Sequence, residues 1–237
     1  TMGNAYIVDA CRTPRGVGKV GKGALAHLHP SYLGSTVLSA LAERNALNTA
    51  EVDDIIWGTS SQSGKQGGDL GRMAALNAGY DVRSSGVTLD RFCGSGITTV
   101  NLAAAQIMSG MEDLVVAGGV EMMSYVAAEG IPTPLDAHNT DLRDRHPQTN
   151  VGIAADIIAT QEGFSRLELD AFSAESQRRA GLAMQAGAFA KSLIPVYRPD
   201  GTLALDDEEF PRPQTTAESL AKLQPVFGNF MDLPFYD

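Results

Sequence analysis

Cys93 is the residue in this chain best placed for covalent chemistry. It stands in Leu89-Asp90-Arg91-Phe92-Cys93-Gly94-Ser95-Gly96-Ile97, just after the β-branched and apolar run Gly86-Val87-Thr88-Leu89. Beyond it, Ile97, Val100, Ala104, Ile107 and Met108 recur at helical spacings, and Gly110 marks an end. The pattern predicts a strand, a turn carrying the cysteine, and a helix. A helix start aims unpaired backbone N–H groups and the positive end of its dipole at what precedes it, an arrangement that suits a sulfur anion and can hold a developing oxyanion. Glycine neighbours let a substrate approach the backbone. The alternative use of such a cysteine is as a small core residue.

Other residues with chemical potential carry less. Gly16-Val17-Gly18-Lys19-Val20-Gly21 fits G-x-G-x-x-G, and Gly16 through Lys22 nearly completes a phosphate-binding loop. Gly23 then stands where a Ser or Thr hydroxyl would meet magnesium, and Pro30-Ser31 delays the next helix, so the segment reads as a flexible surface turn. Gly64 to Gly71 also reads as a loop. His27 and His29 are two apart with no cluster to complete a metal site, and none is predicted. Asp206-Asp207-Glu208-Glu209 reads as a solvated acidic run. Glu121 has the chemistry of a general base, and Cys11 reads as a core residue.

The elements that must position Cys93 follow from periodicity. Ala5 to Ala10 reads as a buried strand, Ser31 to Asn45 as a helix capped by Ser31, Asp54 to Gly58 as a strand, and Asp69 to Ala78 as a helix. With the strand before Cys93, its helix, and a further strand from Leu114 to Ala117, the alternation predicts an α/β fold with a parallel sheet whose carboxyl ends form the active edge. Composition shifts after Ser124 to Pro, Asp, His and Asn through Gln148, a long loop that sets a domain boundary at 124. Beyond it, Asn150 to Gln161 and Arg166 to Gly187 read as helices, the second with Leu169, Phe172, Ser176, Ala180 and Met184 on one face. Leu193 to Val196 and Thr202 to Leu205 read as short strands around Pro199-Asp200-Gly201.

The Cys93 segment resembles the thiolase family, as does Gly118-Gly119-Val120-Glu121-Met122-Met123-Ser124 at the end of a strand. Val8-Asp9-Ala10-Cys11-Arg12-Thr13-Pro14 is similar to the family's first strand and turn, and Arg212 through Phe227 to the coenzyme A-binding stretch of its loop domain. The resemblance implies an N-terminal thiolase-like βαβαβ half over residues 1–124 and an α+β loop subdomain over 125–237. It implies acyl transfer that cleaves or forms 3-ketoacyl-CoA, with Cys93 taking the acyl group as a thioester and its own N–H helping to hold the oxyanion. Arg212, Ser219 and Phe227 would contact coenzyme A, a substrate and not a resident cofactor. Glu121 would be structural, and Gly64 to Gly71 would lie near a subunit interface of a homodimer or tetramer.

Asp90 departs from the usual Asn three residues before the nucleophile, adding negative charge nearby, and Val151 departs from a Met, trimming the pocket. The family's second half, with its Gly-His-Pro histidine, Asn-Glu-Ala segment and Cys-x-Gly cysteine, is absent from this sequence, as is the last strand of the first half. The chain therefore reads as a fragment whose catalytic base lies in a missing half or partner chain. A related condensing enzyme is disfavoured by the Arg212 to Phe227 match, and a non-catalytic acyl-CoA or sterol-binding relative is the alternative from another class.

The 237 residues are 43% hydrophobic and 19% charged, with no apolar run near the roughly 20 residues that span a bilayer. Thr1-Met2-Gly3-Asn4 lacks the features of a signal peptide, and two cysteines make no disulfide framework, so a cytoplasmic setting is expected. A formal net charge of -10 argues against nucleic acid or an anionic membrane as the main partner.

Overall fold

The computed structural model describes residues 3–129 and 135–227. The chain divides into two units, one holding residues 3–129 with Phe189–Phe210, the other residues 135–188 and 211–227.

In the first unit, α1 (Pro30–Arg44) opens on a proline, which lacks the donor a first helical turn cannot use. Its cap is His29, whose Nδ1 accepts the Ser31 N–H at 3.2 Å, and not Ser31 itself. β1 (Asp54–Gly58) follows, then α2 (Leu70–Asn77) with Asp69 as its cap, β2 (Val87–Leu89), α3 (Ser95–Ser109), β3 (Val115–Gly119) and the short α4 (Met123–Ala128). Gly110 ends α3 in the left-handed region, where the absent Cβ removes the steric penalty. The sheet order is β2-β1-β3, both pairings parallel, with Gly58 opposite Leu89 on one side and Gly119 on the other.

β1 is buried along Ile55, Ile56 and Trp57, and the indole of Trp57 fits between backbone surfaces that only glycine leaves open. A Cβ on Gly71 of α2 would stand 2.3 Å from Trp57 Cβ, and one on Gly118 of β3 would stand 2.6 Å from Cζ3 of its ring. Leu38, Val52, Leu70, Ala74 and Tyr80 complete this core.

The predicted strand from Ala5 to Ala10 does not form. Tyr6, Ile7 and Val8 are about four-fifths exposed, and no ladder joins the segment to the sheet among the described residues. A strand needs a neighbouring backbone to satisfy its amides. The outer edge of β3 is unpaired among the described residues, and a cavity of about 140 Å³ lies against it, lined among others by Cys11, Thr13, Leu38, Trp57 and Val116. Cys11 is half-buried with its sulfur 3.6 Å from the Val37 carbonyl, and burial pushes its thiol up.

The boundary placed at Ser124 assigns residues 189–210 to the second domain, whereas they pack on the first unit. Arg12 N–H donates to the Ser192 carbonyl at 2.9 Å, and Ile194 N–H to that of Arg12 at 3.1 Å. β4 (Val196–Tyr197) and β5 (Leu203–Leu205) form an antiparallel pair there, around the turn that holds Gly201. The acidic run is not solvated throughout. Glu208, its side chain fully buried, accepts Arg15 N–H at 2.8 Å, and Arg12 Nη1 stands 2.5 Å from its other oxygen. Glu209 accepts the N–H groups of Val17 and Ala24 at 2.9 and 3.0 Å, fastening the glycine-rich segment that reads as a flexible turn. A charge run can serve as an anchor where backbone donors and arginines converge on it.

The second unit is helical. α5 (Thr140–Arg145) interrupts the predicted loop, of which residues 130–134 lie outside the described residues. α6 (Val151–Gln161) is capped by Asn150, α7 (Arg166–Gln185) by a Ser165–Glu168 capping box, and α8 (Ala217–Leu220) by Thr216 and Ser219. The apolar face predicted for α7 is open: Phe172 is 78% exposed. That helix packs instead through Arg166, which binds Asp170 at 2.9 Å and the Leu220 carbonyl at 2.7 Å, and through Gly181 against Pro213.

Glu121 joins the ends of β1 and β3. Its Oε2 accepts the Thr59 hydroxyl at 3.1 Å and both the N–H and hydroxyl of Ser60 at 2.7 and 2.9 Å, while Oε1 accepts from Gln66 at 2.9 Å. Gln66, fully buried, accepts Met122 N–H in turn at 2.7 Å. Burial pushes the Glu121 carboxyl up, and the bonds from Gln66, Ser60 and Thr59 outweigh it, so it titrates below the ordinary range.

This packing sets two expectations for stability. Gly118→Ala drives a methyl into the Trp57 ring and costs about 1–3 kcal/mol in urea unfolding. Glu121→Gln leaves Ser60 donors facing an amide and costs about 1–3 kcal/mol near neutrality. Because the folded carboxyl titrates below its unfolded value, its contribution is present above the unfolded value and lost as pH falls through the folded one. The gap between wild type and Glu121→Gln in thermal melts therefore narrows in acid.

Candidate active site at the Cys93 turn

The three strands of the sheet deliver their carboxyl ends to one edge, as the alternation of elements requires. Thr59 N–H reaches the Leu89 carbonyl at 3.2 Å, and Val120 N–H reaches Gly58 at 3.1 Å, so the chain segments leaving the strands stay together. Cys93 lies on the segment leaving β2, exposed, two residues before α3.

The turn that carries it is tightly bonded. Phe92 has φ +49°, a left-handed conformation that costs a bulky L-residue about 1–2 kcal/mol. The residue is 62% exposed. Asp90 Oδ1 accepts Phe92 N–H at 2.6 Å. The Ser95 hydroxyl, in a residue only 5% exposed, accepts Arg91 N–H at 2.8 Å and donates to the Phe92 carbonyl at 2.7 Å. Gly94 N–H closes on the Arg91 carbonyl at 3.0 Å. Side-chain bonds of this kind contribute about 1 kcal/mol each, enough together to offset the strain.

The start of α3 presents donors. No hydrogen bond closes on the amides of Gly96 and Ile97 among the described residues, and Gly94 serves as N-cap without a side chain to occupy them. Two residues after Cys93, the start of this fifteen-residue helix offers unpaired donors and the positive end of its dipole, which suit an anion or oxyanion. Ile97 is 72% exposed, so the approach is bordered by apolar side chains.

Asp90, read from the sequence as added charge near the nucleophile, has one oxygen committed to the turn. Glu121 is fully engaged in the network described above, in keeping with a structural part. Sequence reasoning missed Gln66, Thr59 and Ser60, which lie in a polar, glycine-rich stretch with no periodicity to flag them, and it missed the hydroxyl of Ser95.

The other predicted site residues lie in the second unit. Arg212 is exposed, and its N–H donates to Gln177 at 2.7 Å, leaving the guanidinium free of any partner among the described residues. Ser219 is exposed too, yet its hydroxyl serves the α8 cap, donating to the Thr216 carbonyl at 2.7 Å. Phe227 is half-buried and lies against Gly152, where a Cβ would stand 2.3 Å from its ring. Val151, beside that glycine, is 84% exposed. Between α7 and residues 213–216 runs an open groove of about 400 Å³, bordered by Glu175 and Arg178. Arg178 and Arg179 hold the Glu175 carboxyl at about 2.

Known proteins match this arrangement over most of its length. The chain is 37% identical to a β-ketoadipyl-CoA thiolase of Acinetobacter baylyi over 95% of its residues and 60% of that protein. It is 36% identical to a 3-ketoacyl-CoA thiolase of a Psychrobacter species over 94% of its residues and 57% of the relative. Among solved structures, the dimeric peroxisomal thiolase of Saccharomyces cerevisiae superposes with a TM-score of 0.85 at 29% identity, covering 94% of this chain and 58% of that one. The Bacillus anthracis acetyl-CoA acetyltransferase gives 0.79 at 31% identity, over 95% and 59%. The chain thus has the thiolase fold but spans about 60% of the length of these relatives, without the second half. The sequence profile of the thiolase N-terminal domain matches residues 5–230, and the chain belongs to that family.

Proposed function

We propose that this chain supplies the nucleophilic part of a thiolase acting on 3-ketoacyl-CoA. The observation that carries the reading is Cys93, exposed on a strained, bonded turn at the start of α3, at the carboxyl edge of a parallel sheet. In the cleaving direction the Cys93 thiolate attacks the ketone carbon of the substrate. The bond between that carbon and the neighbouring methylene breaks, acetyl-CoA leaves as a carbanion that takes up a proton, and an acyl-cysteine remains. The thiolate of a second coenzyme A then attacks the thioester, and acyl-CoA departs as Cys93 is released. Condensation is the reverse. The amides of Cys93, Gly96 and Ile97 are the donors available to the tetrahedral oxyanion.

The acid–base groups are assigned to a segment or partner chain outside these residues, because among the described residues no carboxylate or imidazole is hydrogen-bonded to Cys93. Coenzyme A is assigned to the second unit, with Arg212 at its phosphates and Ser219 and Phe227 along its length. The working form is read as a homodimer or tetramer, in keeping with the yeast neighbour described as dimeric. Among the described residues no helix is long and apolar enough to cross a membrane. A reducing compartment such as the cytoplasm keeps the free thiols of Cys11 and Cys93 available.

Incubation of the protein, together with the segment or partner chain that supplies the acid–base groups, with acetyl-CoA adds one acetyl group, seen in the intact mass after denaturation and mapped to Cys93 by peptide sequencing. Cys93→Ala abolishes the label and Cys11→Ala keeps it. Tight coenzyme A binding without any label would favour the non-catalytic binder instead. Arg212→Ala removes one charge-assisted contact to phosphate and weakens coenzyme A about tenfold in calorimetry, with the melting temperature unchanged because the Arg212 side chain bonds nothing among the described residues.

A further inference from the structure

We propose that Asp90 and Ser95 are positioning residues for Cys93, acting by holding Phe92 in its left-handed turn. This rests on the reading above only in taking Cys93 as a nucleophile. Packing does not hold Phe92: the residue is largely exposed, so no burial locks it in a conformation that a bulky side chain avoids, and the Ser95 N–H adds a bond to its carbonyl at 3.1 Å. The backbone is held instead from both sides. Asp90 takes the N–H of Phe92, and the Ser95 hydroxyl takes its carbonyl while accepting the N–H of Arg91. Ser95 is itself buried against the end of the central strand, so close to Gly58 that a Cβ there would stand 2.9 Å from Ser95 Cβ. The turn is therefore referenced to the end of the central strand through Ser95, whose N–H and buried hydroxyl both reach the Phe92 carbonyl while the hydroxyl alone also takes the Arg91 N–H. Rotation of Phe92 out of the left-handed region would swing the next residue, Cys93, away from the free amides of α3.

The Asp90 oxygen that takes the Phe92 N–H has a counterpart in asparagine, so the staple needs the oxygen and not the charge. Glycine at position 92 would reach the same conformation without strain and would not need the staple.

The test is a pre-steady-state burst with p-nitrophenyl acetate, an activated ester that needs no coenzyme A site. The Cys93 sulfur bonds to the acetyl carbon, the ester C–O bond breaks, nitrophenolate leaves with the electron pair, and the thiol proton passes to solvent. Cys93→Ala gives the baseline. Asp90→Asn keeps the wild-type burst rate within about twofold. Asp90→Ala and Ser95→Ala slow it about five- to tenfold, corresponding to about 1–1.4 kcal/mol, at an unchanged half-saturating ester concentration. Phe92→Gly in the Asp90→Ala background restores most of the loss, which a misfolded variant would not show. Wild-type rates in Asp90→Ala and Ser95→Ala, an equal loss in Asp90→Asn, no recovery with Phe92→Gly, or a wild-type burst no larger than that of Cys93→Ala would each overturn the proposal. Failure of acetyl-CoA alone to label Cys93 would count against the coenzyme A reading, whereas the ester burst judges the turn independently of it.

Discussion

The contact on which the site depends is the approach of α3 to the end of β1. Gly58 and Ser95 come together so closely that neither a larger residue at 58 nor a displaced helix start fits. This fixes the first turn of α3 relative to the sheet without using any catalytic side chain. It also explains why a small residue stands at 95, whose Cβ faces the strand end at this distance. The free amides beside Cys93 are thus placed by steric exclusion, and side-chain bonds then shape the turn that precedes them.

The same economy of volume governs the core behind it. Trp57 is adjacent to Gly58, and its ring takes up the space that Gly71 and Gly118 leave. A large aromatic residue in a central strand requires small neighbours above and beside it, so α2 and β3 are set at the distances this ring dictates. Its Nε1 is buried with no hydrogen-bond partner among the described residues. That orphaned donor costs free energy, and the surrounding aliphatic packing has to offset it. The Glu121–Gln66 network then closes the carboxyl edge of the sheet, so packing below and hydrogen bonds above hold the strand ends on which Cys93 depends.

Much of this was legible in the sequence where a local signal matched the tertiary outcome. Asp54–Gly58, the helix after Asp69, the strand before Cys93 and the helix ending at Gly110 all carry periodicity and caps that act over a few residues, and each forms as read. The failures share a physical cause, which is that the deciding partner is far away in the chain. Ala5 to Ala10 has a strand's composition, yet no described backbone lies alongside to pair with it. Glu208 and Glu209 look like any solvated acidic run until Arg12, Arg15 and the amides of Val17 and Ala24, nearly two hundred residues earlier, are brought to them. Phe172 has the spacing of a core residue but stands exposed, while Gly181, apolar signal or not, makes the close contact. At the site, Cys93 was legible because its neighbours are distinctive, whereas the Ser95 hydroxyl was not, since its partners emerge only when the turn is folded.

The distribution of charged groups bears on what this chain can do by itself. Its carboxylates near the sheet edge are spent on structure: Glu121 on Ser60, Thr59 and Gln66, and Asp90 on Phe92 N–H. Glu121, held below its ordinary range by several donors, is a poor proton acceptor, because accepting a proton would break the bonds that hold it. Around Cys93 the described residues therefore offer free amides and a helix dipole, with Glu121 committed elsewhere. Acyl transfer needs both, the amides for the oxyanion and a base to activate sulfur and carbon. An oxyanion beside Cys93 would meet donors already in place at the start of α3, whereas the Glu121 carboxylate at this edge would have to give up its bonds to Ser60, Thr59 and Gln66 before it could take a proton.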